Sequence, residues 1–424
     1  MNCNTQNTKI ASITEKTLIV GIDVGSETHY ARAFDWRNFE FTRKPLVFSN
    51  TQAGFLTFKA WIEEIQEKNG KTAVIPGMEP TGHYWFALGK FLQDNGMKPV
   101  HVNPHHVKKS KELDDNNPNK NDRKDPKTIA ALVNEGRFSY PYIPTGIYAE
   151  MRSLSNLRFQ TQEEVTRIKN RIARWFAIYF PEYKDVYRDL KAVSGRMILK
   201  AAPLPEDIGK LGVEGVNQIW RDAKLRGTGM KRAKTLVSAA EHSVGSKEAP
   251  EAARMELKNL LDDMDVYTSR LEELVQKLEG KLKEIPYIDK LLEIKGIGMV
   301  TVSGFIAEVG DIRRFDNPKQ LQKLAGYAIV ANDSGKHNGE SRISYRGRKV
   351  LYEAAISLVG KNAEFREIHE YYRTRKENPL KKMQSVVAVA CKVIRVFYTI
   401  LTKGVDYDAA RLLGDIKHPQ MQTA

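Results

Sequence analysis

The sequence predicts an α/β domain at the N-terminus, two long heptad-patterned helices after it, and a mostly α-helical C-terminal domain. Three observations carry this. Up to about residue 150, short β-branched or apolar runs alternate with amphipathic stretches. Apolar residues then recur at three- and four-residue steps through two long segments. From Pro286 onward, glycine and proline punctuate apolar helical segments. At 424 residues the chain exceeds one ordinary core, so two or three domains are expected.

After a polar tail over 1–16, TLIVGIDVG (17–25) is an apolar run ending in Asp and Gly, and HYARAFD (29–35) alternates like a paired strand. LVFSN (46–50) suits a third strand, 55–68 an amphipathic helix, and KTAVIPGMEP (71–80) a strand. A helix over 82–96, a short strand at 98–103 and a helix over 125–136 complete a domain spanning 17–150. A meander followed by alternating helices and strands is the pattern of the ribonuclease H-like fold.

Thr161, Val165, Ile168, Ile172, Trp175 and Tyr179 form one heptad stripe; Leu257, Leu260, Met264, Tyr267, Leu271, Leu274, Leu278 and Leu282 form another. Coiled-coil packing is expected over 151–285, within the chain and with some oligomer contact. The stretch 181–250, broken by Pro203, Pro205 and several glycines, reads as short helices and loops. In 286–405, KGIG (295–298) matches a helix-hairpin-helix turn, and 350–360 and 384–402 are apolar helices. The last carries Lys392 and Arg395, which mark it as a buried core helix rather than a membrane span. A tail over 406–424 follows.

Lys and Arg number 67 against 52 Asp and Glu, a formal net charge of +15, which favours a polyanionic partner, nucleic acid first. The two cysteines, Cys3 and Cys391, form no CxxC or Cys/His cluster, which argues against a disulfide framework or a zinc site. The polar N-terminal residues hold no apolar signal segment, so a cytoplasmic protein is expected.

Asp23 closes the first strand in GIDVG, and Glu79 ends the strand of GMEPTGHYW. Asp122 and Asp125 stand in NDRKDPKTIA at a helix start, where a spacing of three shares one helical face if the turn reaches back to Asp122. Each has an ordinary reading, as a turn former or a helix cap. Four converging carboxylates, however, are tolerable only when divalent cations offset their repulsion, which points to Mg²⁺, or Mn²⁺, and phosphoryl transfer.

These motifs together resemble the DEDD transposases of the IS one-ten insertion-sequence family. The likeness extends to KGIGMVTVSGFIAEVGDIRRFDNPKQLQKLAGY, DSGK and RISYRGRKVLYEA. It implies a RuvC-like N-terminal domain carrying Asp23, Glu79, Asp122 and Asp125 as metal ligands. It also implies a C-terminal domain whose serine attacks DNA and forms a transient phosphoserine linkage. Ser334 in NDSGKHNGE matches that serine. Ser341 and Ser344 are its neighbours, but Ser334 alone is followed by glycine, which permits close approach of a phosphate. The preceding GYAIVAND departs from the family's proline-containing pattern. Because a serine hydroxyl is a poor nucleophile unaided, the resemblance implies a composite active site, completed within one chain or between subunits.

Lys336, Arg342, Arg346, Arg348 and Lys349 surround the serine, and Lys295 opens the KGIG turn. Such cations position a nucleic-acid backbone without reading its sequence. The family's target choice implies a structured guide RNA as partner, besides donor and target DNA and a homo-oligomer. Two other functions compete: a hydrolytic nuclease or junction resolvase that uses the carboxylates without the serine, and a non-catalytic nucleic-acid scaffold.

Overall fold

The computed structural model describes residues 3–114, 125–188, 192–327, 329–330, 333–334, 337–338, 342–343 and 349–417. It divides into two compact units, 1–143 and 144–424.

In the first unit a helix, α1 (Cys3–Ala11), precedes strands β1 (Thr17–Val24), β2 (Thr28–Phe34) and β3 (Leu46–Ser49). Then come α2 (Gln52–Lys68), β4 (Ala73–Met78), α3 (Trp85–Asp94), β5 (Val100–Val102), α4 (Pro104–Asp114), α5 (Asp125–Asn134) and β6 (Phe138–Ser139). The six strands form one sheet in the order β3-β2-β1-β4-β5-β6. The first three are antiparallel; β4 lies parallel to β1 and β5 parallel to β4.

The two-residue alternation of β1 sorts its side chains between two cores. Leu18, Val20, Ile22 and Val24 pack with Phe55, Phe58 and Ile62 of α2 and Leu88 and Leu92 of α3. Ile19 packs on the opposite face with Ile129, Ala130 and Val133 of α5 and with Val107 of α4. The sheet is thus covered on both sides, as its near-continuous apolar strand requires. β4 ends at Met78, directly before Glu79 and Pro80.

The segment expected as a polar tail is a helix. Gln6 Nε2 donates to Glu135 O at 2.8 Å, and Ile10 reaches Gly136, so α1 closes over the end of α5.

The second unit begins with α6 (Gly146–Tyr179), α7 (Tyr183–Val186), α8 (Val193–Ala201), α9 (Pro205–Asp222), α10 (Met230–Glu241) and α11 (Pro250–Leu282). α6 and α11 pack within the chain: Val165, Ile168, Ile172 and Trp175 share a core with Leu257, Leu260, Leu261 and Met264. Trp175 Nε1 donates to Ala253 O at 2.9 Å. At the other end, Met151 joins Leu278 and Leu282, so the two helices run antiparallel.

Next are α12 (Ile288–Leu292), α13 (Met299–Val309), α14 (Pro318–Leu324) and short strands β7 (Ile329–Val330), β8 (Asp333–Ser334), β9 (His337–Asn338) and β10 (Arg342–Ile343). α15 (Lys349–Lys361), α16 (Ala363–Thr374), α17 (Lys382–Lys403) and α18 (Ala409–Lys417) close the unit. Met151, Leu278 and Leu282 belong to the same apolar cluster as these helices, so packing continues across residue 285 without a break. The expected C-terminal tail is also partly helical, since Leu412 and Leu413 of α18 are buried in this core. α17 is long and apolar enough to cross a bilayer, but Val389, Ala390, Val393, Ile394 and Phe397 are buried in the core.

Candidate metal and nucleic-acid site

The register of the central strands brings two of the sequence-predicted carboxylates together. In the parallel pairing of β1 and β4, Gly21 stands opposite Gly77 and Ile22 opposite Met78. Asp23 and Glu79 are the next residues of each strand path, side by side at the C-terminal edge of the sheet. Alternation gives them the face that carries Ile19, Gly21 and Gly77, the face covered by α5. Both carboxylates are half-buried there.

The paired glycines let α5 lie close. A Cβ on Gly21 would stand 1.8 Å from the Pro126 carbonyl oxygen, and one on Gly77 would stand 2.5 Å from Val133 Cγ2. Pro126 follows Asp125, so the contact fixes the start of α5 two residues short of Asp23 along β1. Asp125 itself is 7% exposed, and its carboxylate forms an ion pair with Lys111 of α4. Sequence reasoning did not single out Gly21, Gly77 or Lys111. The signal for the glycines was present, because each sits two residues before a predicted carboxylate, in GID and GME.

Asp122 lies outside the described residues. Among the described residues, no group of three or more His, Cys, Asp or Glu is gathered closely enough to hold a metal ion. The carboxylates share an edge and a face without forming a closed cage.

Two histidines near this edge serve the core instead. His101 on β5 pairs with Met78 and so takes the face opposite Glu79; its ring stands edge-on to Trp85 at 4.2 Å. Burial pushes its pKa down to about 4, which keeps it neutral at pH 7. His29, opposite Val24, is fully buried against Phe48 and Phe55, and burial lowers its pKa too.

Ser334 ends β8, paired with β9 so that His337 stands directly opposite it. His337 is a neighbour the sequence reading did not weigh. The side chain of Ser334 lies outside the described residues, as do those of Arg342 on β10 and Lys349 at the start of α15. Lys336, Arg346 and Arg348, like Ser341 and Ser344, lie outside the described residues altogether.

Lys295 is exposed at the turn between α12 and α13. Gly296 there has φ +97°, a left-handed conformation suited to glycine. The turn is fastened from behind: Ser357 Oγ donates to Gly296 O at 3.1 Å and Asn362 Nδ2 to Lys295 O at 3.2 Å. α13 then starts with no side-chain cap on its first N–H groups.

Two family models match the chain. A transposase model of the DEDD IS110 type matches residues 20–181, and the transposase IS116/IS110/IS902 family model matches residues 288–373. The chain is 24% identical over 395 residues to an insertion element IS116 protein of 44.8 kDa from Streptomyces clavuligerus, covering 90% of this chain and 94% of that one. It is 22% identical over 293 residues to an insertion element IS900 protein of 42 kDa from Mycobacterium paratuberculosis, covering 68% of this chain and 73% of the relative. The first model spans Asp23, Glu79, Asp122 and Asp125, and the second spans Ser334. The chain belongs to the IS116/IS110/IS902 family and is a transposase of insertion elements, a class whose general activity is the cutting and rejoining of DNA.

Proposed function

We propose that the chain recombines DNA through divalent-metal chemistry at Asp23, Glu79, Asp122 and Asp125, with Ser334 as nucleophile and an element-encoded RNA as guide. One observation carries the reading: Asp23 and Glu79 meet in register at the ends of adjacent parallel strands, with Asp125 heading the helix on the same face. The strand order and the antiparallel-then-parallel pattern support a RuvC-like fold for this unit.

Transposases of the DEDD type typically use a divalent metal. An all-oxygen donor set suits Mg²⁺ or Mn²⁺, and Mg²⁺ is commonly held by one or two carboxylates plus substrate phosphates rather than by a closed protein cage. When bound, the ion would polarise the phosphodiester and stabilise the departing oxygen. Two carboxylates side by side would, when ionised, favour a cation beside them. Lys111 offsets the charge of Asp125 and orients it.

Attack by the Ser334 hydroxyl would form an oxygen–phosphorus bond as the bond to the departing sugar oxygen breaks. The serine proton leaves to a base, and the sugar oxygen takes up a proton. Lys336, Arg342, Arg346, Arg348 and Lys349 would hold the DNA backbone near the serine, and Lys295 would hold a second backbone segment at the α12–α13 turn. The antiparallel pairing of α6 with α11 supports a coiled-coil reading of the heptads, with oligomer contacts on their outer faces.

The carboxylates belong to one compact unit and Ser334 to the other, which keeps a hydrolytic nuclease in view as the second reading. The test is a reaction of the full chain with element-end DNA, Mg²⁺ and guide RNA, digested with protease and analysed by mass spectrometry. A nucleotide on the peptide containing Ser334 supports the recombinase. A nucleotide on Ser341 or Ser344 moves the nucleophile, and cutting without any adduct favours hydrolysis.

A further inference from the structure

Between β2 and β3 the chain reads Trp36, Arg37, Asn38, Phe39, Glu40, Phe41, Thr42, Arg43, Lys44, aromatic residues interleaved with cations, and the catalytic reading uses none of them. Trp36 is 46% exposed and Phe39 63%, whereas Trp85, Trp175 and Trp220 are buried. Large aromatic residues held in water at neighbouring positions lose the burial that ordinarily stabilises them, so their presentation calls for a partner.

The loop is built rather than loose. Asp35, 3% exposed, accepts from the backbone N–H groups of Arg37 and Phe39 at 2.8 Å each and from Arg37 Nε at 3.2 Å. Burial pushes the Asp35 pKa up, but those donors and the guanidinium outweigh it and hold it below the ordinary value, so the carboxylate stays charged and the loop stays pinned. Asn134 Nδ2, from the end of α5, donates to Asp35 O at 3.0 Å and to Asn38 Oδ1 at 2.6 Å. Asn38 turns the chain at φ +65°.

The charge is one-sided. Arg37 lies 5.6 Å over the Trp36 ring and Lys71 5.5 Å over Phe41, while Arg43 and Lys44 are exposed. Glu40 is offset by Arg32 at 2.6 Å and Asp35 by Arg37. Aromatic faces among cations suit a partner that offers flat rings and phosphates together. A single nucleic-acid strand does so, whereas a duplex hides its base faces within the stack.

We propose that the 36–44 loop is a stacking platform for single-stranded nucleic acid. It sits at the opposite end of the sheet from Asp23, roughly 20 Å away at the rise of a strand. A strand held there is bound apart from the carboxylates, as a guide or displaced strand would be. The platform rests on the reading that this chain handles nucleic acid, but not on which groups cut it.

The test is fluorescence anisotropy of the full-length chain with labelled short oligonucleotides: single-stranded RNA, single-stranded DNA and duplex DNA. Trp36→Ala and Phe39→Ala should each weaken single-strand binding about tenfold, leave duplex binding within about twofold, and leave the melting temperature unchanged. Trp36→Phe should retain most of the affinity. Tighter wild-type binding in the RNA or the DNA arm identifies which strand the platform serves. Unchanged single-strand affinity in both alanine variants overturns the proposal, as does an equal loss on duplex. If cleavage assays fail while this binding persists, the catalytic reading falls and the platform stands.

Discussion

Gly21 and Gly77 face each other across β1 and β4, and the two substitutions Gly21→Ala and Gly77→Ala should differ in cost for a reason visible in their surroundings. At Gly21 the obstacle is the Pro126 carbonyl, backbone 1.8 Å away; at Gly77 it is a methyl of the buried, β-branched Val133 at 2.5 Å, a smaller overlap that a slight shift of α5 relieves. Overpacking costs about 1–3 kcal/mol, so Gly77→Ala should fall at the low end and Gly21→Ala at or beyond the high end. Thermal denaturation of the two variants checks the order, and Gly21→Ala should also impair cleavage by displacing the start of α5. His101 gives a second prediction at this scale. Its pKa is lowered from 6.5 to about 4 by burial, so the unfolded chain binds a proton that the folded chain refuses. The stability it contributes is complete above about pH 6.5 and is lost as pH falls toward 4, and His29 acts in the same direction. Asp35, also lowered, weakens the fold only below its ordinary 3.8, outside that window. Melting temperatures measured from about pH 7 to pH 4.5 should therefore fall, and His101→Phe should flatten part of the slope while keeping the packing on Trp85. A flat wild-type profile would contradict this.

At the scale of elements, legibility followed apolar content. β1, β2, β4 and α5 were readable because Ile, Val, Leu and Phe recur at a strand's or a helix's period. α1 and α4 were not: CNTQNTKIA and PHHVKKSKELD carry few apolar residues, and α4 contributes Val107 to the core while α1 is fastened largely by polar contacts such as Gln6 to Glu135. The individual carboxylates were legible as strand-end and helix-start acids. Their meeting was expected from the family resemblance and not from local pattern, because the β1–β4 register joins residues more than fifty positions apart. The antiparallel seam of α6 and α11 makes its own prediction. Leu257 and Leu260 are fully buried in it, so Leu257→Ala or Leu260→Ala should each cost about 2–5 kcal/mol, read as a lower denaturation midpoint of the second unit. Loss below about 1 kcal/mol in both would show the seam to be loosely packed.

Across the whole molecule, a net charge of +15 makes nucleic-acid affinity an electrostatic quantity. Doubling salt from about 0.1 M should weaken binding several-fold on any sequence, and Arg346→Ala with Lys349→Ala should reduce the salt slope without changing site preference. The central claim is that the carboxylate edge is the catalytic centre, and single substitutions there test it most directly. Asp23→Asn and Glu79→Gln keep size and remove charge, and the melting temperature of each variant is measured beside its activity so that loss of chemistry is separated from loss of fold. Strand cleavage of element-end DNA in Mg²⁺ should drop to background in both and vanish in the wild type when a chelator is added. Wild-type cleavage rates in either correctly folded variant would contradict the account.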